Sequence, residues 1–177
     1  AYTDFVAPRF NIIAILGALE YRRRTGQGQF LDASQNEGGI QFMTPVILDY
    51  TANHRVADRM GNGCSYAAPH NVYPCVGKDA WCAISVFTDE EWRCFCKVIG
   101  TAVLAEDHRF ANLLARKEHE EELDKLISDW TKTREAVDVM NLMQAAGVAA
   151  GLVEPADYQM ESDPQLKARN YFYDVEH

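Results

Sequence analysis

The amino-acid sequence predicts a mixed α/β fold. Three patterns support this class: a helical stripe of apolar residues near the N-terminus, a strand, turn and strand near the middle, and two capping boxes that each open a helix. The chain has 177 residues, of which 47% are hydrophobic. That length and that content are sufficient for a sizeable hydrophobic core.

The N-terminal segment predicts a helix that ends at a glycine-rich turn. Apolar residues recur at helical spacing between Pro8 and Arg24, and the sequence Thr-Gly-Gln-Gly at 25–28 stops the pattern. Because a phosphate-binding loop normally precedes a helix, the position of this turn favours a helix stop over a binding loop. Residues 29–33 then alternate in part between apolar and polar side chains, which is typical of a strand.

A second helix is predicted from Ser34 to about Asn53. Ser34 and Glu37 have the spacing of a capping box, in which each of the two side chains accepts a hydrogen bond from the backbone amide of the other residue. Gly38 and Gly39 lower the helix propensity of this segment. We therefore expect the two glycines to permit close packing against a neighbouring element.

The middle of the chain predicts an exposed loop and then a β-hairpin. Residues 54–70 contain few large apolar side chains, so this segment is the candidate domain boundary. Segments 71–75 and 81–86 flank a turn and predict two paired strands. Thr88 and Glu91 form the second capping box. The helix that they open carries an apolar face of Trp92, Phe95, Val98 and Ile99.

The C-terminal part predicts more helices and two short strands. Helices are expected over 110–130 and 134–146, and the mixed charge run at 116–122 is interpreted as a solvated face. A buried strand is expected over 148–153. The remaining predictions are a short helix that opens at Asp163-Pro164 and a last strand over 171–175.

The overall charge argues against nucleic acid as a partner. The chain carries 26 acidic and 17 basic side chains, which gives a formal net charge of −9. Such a surplus repels a phosphate backbone unless the basic groups are gathered in one place. Arg22, Arg23 and Arg24 do lie together, but arginines at the end of a helix more often complement the helix dipole or stay solvated than form an anion site.

The sequence predicts neither a membrane span nor a metal site nor a disulfide framework. No apolar run approaches the roughly 18 residues of a spanning helix, and the first residues lack the layout of a signal peptide. The five histidines are far apart, and the five cysteines include no Cys-x-x-Cys pair. We therefore expect a cytoplasmic protein with reduced thiols that pack in the core. The cysteines are Cys64, Cys75, Cys82, Cys94 and Cys96.

Asp4 is the candidate catalytic residue, although its position alone favours a simpler role. Asp4 lies where the first helix starts, and a carboxylate there most often caps the helix. The short motifs of serine hydrolases, P-loop proteins, dinucleotide-binding proteins and zinc proteases are absent from the sequence. From the residues alone, a cap and a catalytic carboxylate both remain open for Asp4.

The order of several motifs resembles one enzyme family. Asp4 is followed by Ala-Leu-Glu-Tyr-Arg at 18–22, Thr-Gly-Gln-Gly-Gln at 25–29 and Asp-Ala-Ser at 32–34. With the later landmarks, these motifs in order make nearly the whole chain similar to family III CoA-transferases, also called the carnitine dehydratase and bile-acid-inducible family. Leu31 replaces the valine that is usual in the third motif. The later landmarks lie at 61–63, 68–69, 73–74, 83–86, 88–92, 107–110, 146–151 and 163–166.

The resemblance implies an α/β architecture that comprises an internal part and the small domain of such an enzyme. Residues 1–67 would form part of a doubly wound large domain. Residues 68–153 would form a smaller α+β domain with a short antiparallel sheet and helices, and residues 154–177 would return toward the large domain. The family also implies an interlocked homodimer for the full-length enzyme.

The resemblance further implies that Asp4 attacks an acyl-CoA thioester. The carboxylate would form a mixed anhydride and then an aspartyl-CoA thioester, and an acceptor carboxylic acid would reverse the sequence. Coenzyme A is then a substrate in thioester form, and no tightly bound cofactor is expected. Because water must be kept from the anhydride, Gly61 and Gly63 are candidates for a mobile loop over the site.

Two alternatives remain open. Alpha-methylacyl-CoA racemases of the same family use the equivalent aspartate, with a histidine, to move a proton beside the thioester carbonyl. Such racemases carry a glutamate in the strand that here includes residues 84–87, and none of these four residues is acidic, which favours the transferase. The second alternative is a catalytically incomplete fragment, because the nucleotide-binding part of the family would precede residue 1.

Overall fold

The computed structural model describes residues 2–176, which separate into two compact units. The first unit ends at Arg59 and the second begins at Met60. The domain bounds of 1–67, 68–153 and 154–177 stay a prediction for the full-length protein. Within residues 2–176, no helix is both long enough and apolar enough to cross a membrane.

Helices joined by coil make up the first unit. They are α1 (Tyr2–Thr25), α2 (Gln35–Gln41) and α3 (Thr44–Asn53). Helix α1 begins well before the apolar stripe that predicted it, so Asp4 lies in its first turn and Pro8 lies within the helix. At the other end, Gly26 adopts a φ of 76° and donates its N–H to the carbonyl of Arg22, which confirms the predicted glycine stop.

The strand predicted over 29–33 is wrong, because residues 27–34 form coil. Phe30, in the middle of this segment, is 93% exposed. A strand is stabilised by hydrogen bonds to a neighbouring strand, and the described part of the first unit contains no strand that could pair with it. Alternation of side chains is therefore not sufficient to form a strand here.

The helix predicted from Ser34 to Asn53 is two helices, and Pro45 explains the break. In a continuous helix the amide of residue 45 would donate to the carbonyl of Gln41, but proline has no N–H. The Thr44 hydroxyl donates to that carbonyl instead, at 2.7 Å. Pro45 then lies in the first turn of α3, where the missing N–H costs nothing.

Gly38 and Gly39 permit the close approach of α2 to α1, as predicted. A Cβ at Gly38 would lie 3.3 Å from the Cα of Ala7, and one at Gly39 would lie 2.9 Å from Cγ2 of Thr3. Both distances are shorter than ordinary side-chain contacts, so a side chain at either position would force its neighbours to shift. The two glycines thus bring α2 against the first two turns of α1.

An antiparallel three-stranded sheet lies at the centre of the second unit. Its strands are β1 (His70–Pro74), β2 (Trp81–Ser85) and β3 (Ala149–Leu152), in the order β1-β2-β3. Tyr73 pairs with Cys82 across the first ladder, and Ile84 pairs with Ala150 across the second. The predicted hairpin and the predicted third strand are therefore both confirmed.

Helices cover this sheet and follow it to the C-terminus. The capping box that opens α4 is complete: the N–H of Glu91 donates to Thr88 Oγ1 at 3.1 Å, and the N–H of Thr88 donates to Glu91 Oε2 at 3.2 Å. Asp163 caps the predicted short C-terminal helix by accepting a hydrogen bond from the N–H of Leu166. The helices are α4 (Asp89–Val98), α5 (Leu113–Glu118), α6 (Glu120–Thr131), α7 (Ala136–Ala145), α8 (Ala156–Glu161) and α9 (Pro164–Ala168).

Two of the helices and strands predicted in this unit differ from the structure. The helix expected over 110–130 is divided at His119, whose backbone leaves the helical region, and α6 begins with three glutamates at 120–122. The helix dipole favours a cluster of acidic residues at a helix N-terminus, which explains why a new helix begins at residue 120. The strand expected over 171–175 is coil that no described strand pairs with.

The hydrophobic core of the second unit lies between the sheet and helices α4, α6 and α7. Its members are fully or almost fully buried, which accounts for the stability of this unit through apolar burial. The largest are Tyr73, Ile84, Trp92, Phe95, Phe110, Leu123, Ile127 and Met143.

Arg116 corrects the interpretation of 116–122 as a solvated face, because its side chain is fully buried. Its guanidinium donates to the carbonyls of Ala68 at 2.8 Å and Phe110 at 3.2 Å, and to Asp89 Oδ1 at 2.9 Å. The group also lies 5.2 Å from the centre of the Trp92 ring. These partners satisfy a buried charge that the sequence pattern assigned to solvent.

Candidate active site

Asp4 lies in the first turn of α1, and its side chain is exposed. Backbone N–H groups in the first turn of a helix point away from its body, and the helix dipole stabilises negative charge there. Arg22, Arg23 and Arg24 lie in the last turn of α1, where they complement the opposite end of the dipole. The helix therefore presents Asp4 as a stabilised carboxylate at its N-terminal end.

Gln35 is the side chain that α2 brings to this carboxylate. Its amide nitrogen Nε2 lies 2.6 Å from Asp4 Oδ1 and 2.9 Å from Thr3 Oγ1, so it donates to both oxygens. An ionised carboxylate only accepts hydrogen bonds, which fixes the amide with its nitrogen toward Asp4. The carboxylate thus has a hydrogen-bond donor from a different helix.

The packing of α2 on α1 places Gln35 beside Asp4. Ser34 caps α2 by accepting from the N–H of Glu37 at 3.3 Å, and Gln35 is the first residue after this cap. The hydroxyl of Tyr2 donates to the carbonyl of Gly39 at 3.1 Å and links the two helices a second time. The sequence identified the cap and the glycine pair, but the contact of Gln35 with Asp4 depends on how the helices pack.

Gly61 and Gly63 lie in a turn at the start of the second unit, whereas Asp4 belongs to the first. Gly61 has a φ of 60°, a backbone conformation that favours glycine. The N–H of Gly63 donates to the carbonyl of Met60 at 3.0 Å, and a Cβ at Gly63 would lie 3.2 Å from that same oxygen. Both glycines are therefore required by the turn itself.

Asn62, between the two glycines, connects this turn to the sheet. Its side-chain amide donates to Asn71 Oδ1 at 3.2 Å, and Asn71 Nδ2 donates to Asp124 Oδ2 at 2.8 Å. The buried hydroxyl of Tyr73 donates to the other oxygen of Asp124, at 2.5 Å. Burial, together with this carboxylate, raises the pKa of Tyr73 well above its usual range, so Tyr73 remains a donor.

The cysteines are free thiols, and the buried ones are poor nucleophiles. Burial raises the pKa of Cys82 to about 11 and that of Cys96 to about 12. Since the thiolate is the reactive form, both groups are protonated and unreactive near neutral pH.

In residues 2–176, no group of three or more histidine, cysteine or acidic side chains could hold a metal ion.

The chain is similar to known proteins over its whole length. A family model described as CoA-transferase family III matches residues 1–177. "Probable CoA-transferase Rv1866" of Mycobacterium tuberculosis is 37% identical over 177 residues, which cover 99% of this chain and 22% of that protein. "Succinyl-CoA--D-citramalate CoA-transferase" of Chloroflexus aurantiacus is 36% identical over 166 residues, which cover 94% of this chain and 41% of that protein.

A solved structure has a similar fold. The crystal structure of a CAIB/BAIF family protein from Brucella suis matches with a TM-score of 0.79 and 30% sequence identity, over 95% of this chain and 44% of that one. This likeness confirms the predicted α/β class with its small antiparallel sheet. The chain spans less than half the length of each of these three proteins.

Proposed function

Because the chain belongs to CoA-transferase family III, we propose that it carries the attacking carboxylate of an enzyme that moves coenzyme A from an acyl-CoA thioester to a carboxylic acid. The observation that carries the proposal is the position of Asp4 in the first turn of α1, where its side chain is exposed. A carboxylate that a substrate can reach is a suitable nucleophile for covalent catalysis.

The reaction begins with attack by Asp4 on the thioester. A carboxylate oxygen forms a bond to the carbonyl carbon of the acyl group, and the carbon–sulfur bond breaks. Coenzyme A leaves as its thiolate, and Asp4 and the acyl group are joined in a mixed anhydride. The anhydride retains the activation of the thioester, so the acyl group stays reactive toward a second nucleophile.

The thiolate then attacks the side-chain carbonyl carbon of Asp4. The first carboxylate leaves, and an aspartyl-CoA thioester remains on the enzyme. An acceptor carboxylate attacks this thioester to give a second anhydride, and the thiolate finally attacks the acyl carbon of the acceptor. The products are the acceptor acyl-CoA and the regenerated Asp4 carboxylate, so that the energy of the thioester is not lost by hydrolysis.

Exclusion of water is the proposed role of the turn that contains Gly61 and Gly63. Each anhydride can be hydrolysed, so a segment that covers the site protects the transfer. Gly61 supplies a left-handed backbone position, and the absence of a side chain at Gly63 permits the tight turn.

Short dicarboxylic acids are the proposed substrate class. One relative is named for transfer from succinyl-CoA to D-citramalate. A donor panel led by succinyl-CoA, with short dicarboxylic acids as acceptors, is therefore the appropriate first test. We expect the full-length protein to be an interlocked homodimer, and we expect the 177-residue chain alone to turn over weakly or not at all.

The deciding experiment is intact mass spectrometry of the full-length protein after incubation with acyl-CoA. We expect an aspartyl-CoA adduct on Asp4, located by peptide mapping, and transfer of coenzyme A to an added acid. Asp4→Asn should lower the rate of transfer by at least about 10³-fold, because the nucleophile is removed. Glu20→Gln, on the exposed surface of the same helix, is the matched control and should retain activity.

A racemase would give a different result. It would exchange the α-proton of a 2-methylacyl-CoA with deuterated water, without any adduct and without an acceptor acid. Such exchange in the absence of transfer would overturn the proposal. Full transfer activity in Asp4→Asn would also contradict it.

A further inference from the structure

Gln35 contacts the candidate catalytic carboxylate, although no sequence motif assigns it a role. Both hydrogens of its amide nitrogen are directed to the first turn of α1, one to Asp4 Oδ1 at 2.6 Å and one to Thr3 Oγ1 at 2.9 Å. Thr3 thereby holds the amide in the orientation that serves Asp4. The donor is thus fixed by two contacts.

The backbone that carries Gln35 is also fixed with respect to Asp4. Gly38 allows α2 to approach Ala7 so closely that a Cβ would lie 3.3 Å from the Cα of that residue. The Tyr2 hydroxyl donates a hydrogen bond to the carbonyl of Gly39 at 3.1 Å, one helical turn after Gln35. A donor built on two packed helices needs little reorganisation when charge develops on its acceptor.

The two oxygens of Asp4 have different fates in the proposed reaction. One forms the bond to the acyl group, and the other becomes the carbonyl oxygen of the anhydride. When the coenzyme A thiolate attacks the side-chain carbon of Asp4, the electron pair of that carbonyl bond moves onto this second oxygen. A tetrahedral intermediate with a negative oxygen forms, and it collapses when the acyl carboxylate leaves.

We propose that Gln35 is a catalytic residue whose amide nitrogen stabilises this negative oxygen on Asp4. The assignment rests on the proposed CoA-transferase function. It makes Oδ1 the carbonyl oxygen, since that is the atom to which Gln35 donates. Gln35 acts on the enzyme's own carboxyl group, not on the thioester of the substrate.

The hydrogen bond from Gln35 affects the attack by Asp4 and the later attack by the thiolate in different ways. A hydrogen bond to the resting carboxylate lowers its nucleophilicity, so Gln35 does not assist the first attack. The charge on the oxygen in the second step is more concentrated than in a carboxylate, and a preorganised donor has its largest effect there. Loss of Gln35 should therefore slow formation of aspartyl-CoA and leave the anhydride exposed to water for longer.

The test uses Gln35→Met in the full-length enzyme, because methionine is similar in length and lacks a donor. Rapid-quench experiments with acyl-CoA and intact mass detection measure how fast aspartyl-CoA forms on Asp4, which differs in mass from the acyl anhydride. We expect a roughly 10- to 100-fold slower rate and a lower kcat with little change in KM for acyl-CoA. The fraction of acyl-CoA lost to hydrolysis should rise in the same variant.

Two further variants separate chemistry from folding. Gln35→Glu keeps the shape but brings a second negative charge to Asp4, so we expect a larger loss of rate than in Gln35→Met. Gln41→Ala, at the exposed end of α2, removes a glutamine from the same helix and should retain the wild-type rate.

The outcomes distinguish this inference from the proposed function. If the wild-type protein forms no adduct on Asp4, the proposed function fails. If the wild type forms aspartyl-CoA and Gln35→Met forms it equally fast, only the role of Gln35 is overturned. An equal loss in Gln41→Ala would likewise assign the effect to the helix and overturn the catalytic role.

Discussion

The two units of the chain differ in where their apolar side chains lie. In the second unit, Trp92, Phe95 and Ile84 are buried in a core between sheet and helices. In the described part of the first unit, buried positions are confined to Val6, Ala7, Gly38 and Gly39. The second unit thus contains the means of its own stability, whereas the first holds the candidate site on helices with little core.

Helix α1 shows this difference most clearly. Ile12, Ile13 and Leu16 are 56%, 66% and 60% exposed, and residues at these spacings lie on one side of a helix. An apolar side of this kind normally packs against a hydrophobic core. Since the chain spans less than half the length of its relatives, we expect these side chains to be covered in the full-length protein.

The largest effect is expected from truncation of a core side chain in the second unit. Phe95 is fully buried and stacks on Trp92 with ring centres 5.5 Å apart, so Phe95→Ala should lower the free energy of unfolding by about 3–5 kcal/mol. Leu16→Ala in α1 should change it by less than about 0.5 kcal/mol in the 177-residue chain. Chemical denaturation measures the free energy of unfolding of both variants. Equal losses of stability in the two variants would contradict the difference between the two units.

A smaller effect is expected when a buried cation is removed. Arg116→Ala deprives the carbonyls of Ala68 and Phe110 of their donor and should destabilise the second unit by about 2–3 kcal/mol. Arg23 pairs with Glu20 on the exposed surface of α1, so Arg23→Ala should have no measurable effect. Thermal unfolding of the two variants makes the comparison. A marked loss in Arg23→Ala would show that exposure is a poor guide to stability in the first unit.

Two glycines test whether the first unit depends on the close packing of its helices. At Gly17 nothing lies within 4 Å of an added Cβ, so Gly17→Ala should stabilise α1 by about 0.5–1 kcal/mol. At Gly38 the added Cβ meets the backbone of Ala7, and we expect a net loss of about 1 kcal/mol. Hydrogen exchange of the amides in α1 and α2 measures the change of stability in each variant. Increased protection in Gly38→Ala would contradict the packing described for α2.

The smallest effect at neutral pH is expected from the thiols, all of which lie in the second unit. Burial raises the pKa of Cys82 to about 11 and of Cys96 to about 12, above the roughly 8.5 of an unfolded thiol. The unfolded chain therefore loses these protons first, and stability should be constant below about pH 8.5 and fall as the pH rises toward 12. Denaturation midpoints from pH 8 to 11 measure the decline, which should be smaller in a Cys82→Ala, Cys96→Ala double variant. An identical decline in that variant would exclude the thiols as its cause.

Local signals in the sequence predicted most of the second unit. The hairpin and the capping box of Thr88 and Glu91 depend on residues close together in the chain, so their spacing was sufficient. The glycine stop at 26 in the first unit was found in the same way. The expected helix over 110–130 failed at His119, because a pattern of apolar residues does not show where one helix ends and the next begins.

The sequence by itself determined the fold class, the family and the position of Asp4 at the start of a helix, because these depend on motifs and on bonds between near neighbours. Tertiary structure alone decided that residues 29–33 form coil, that Arg116 is buried and that Gln35 donates to Asp4. Arg116 and Gln35 depend on partners far away in the chain, and residues 29–33 lack a strand to pair with in the described part of the first unit. No periodicity reports such a partner, since packing brings it into contact only after the local elements have formed.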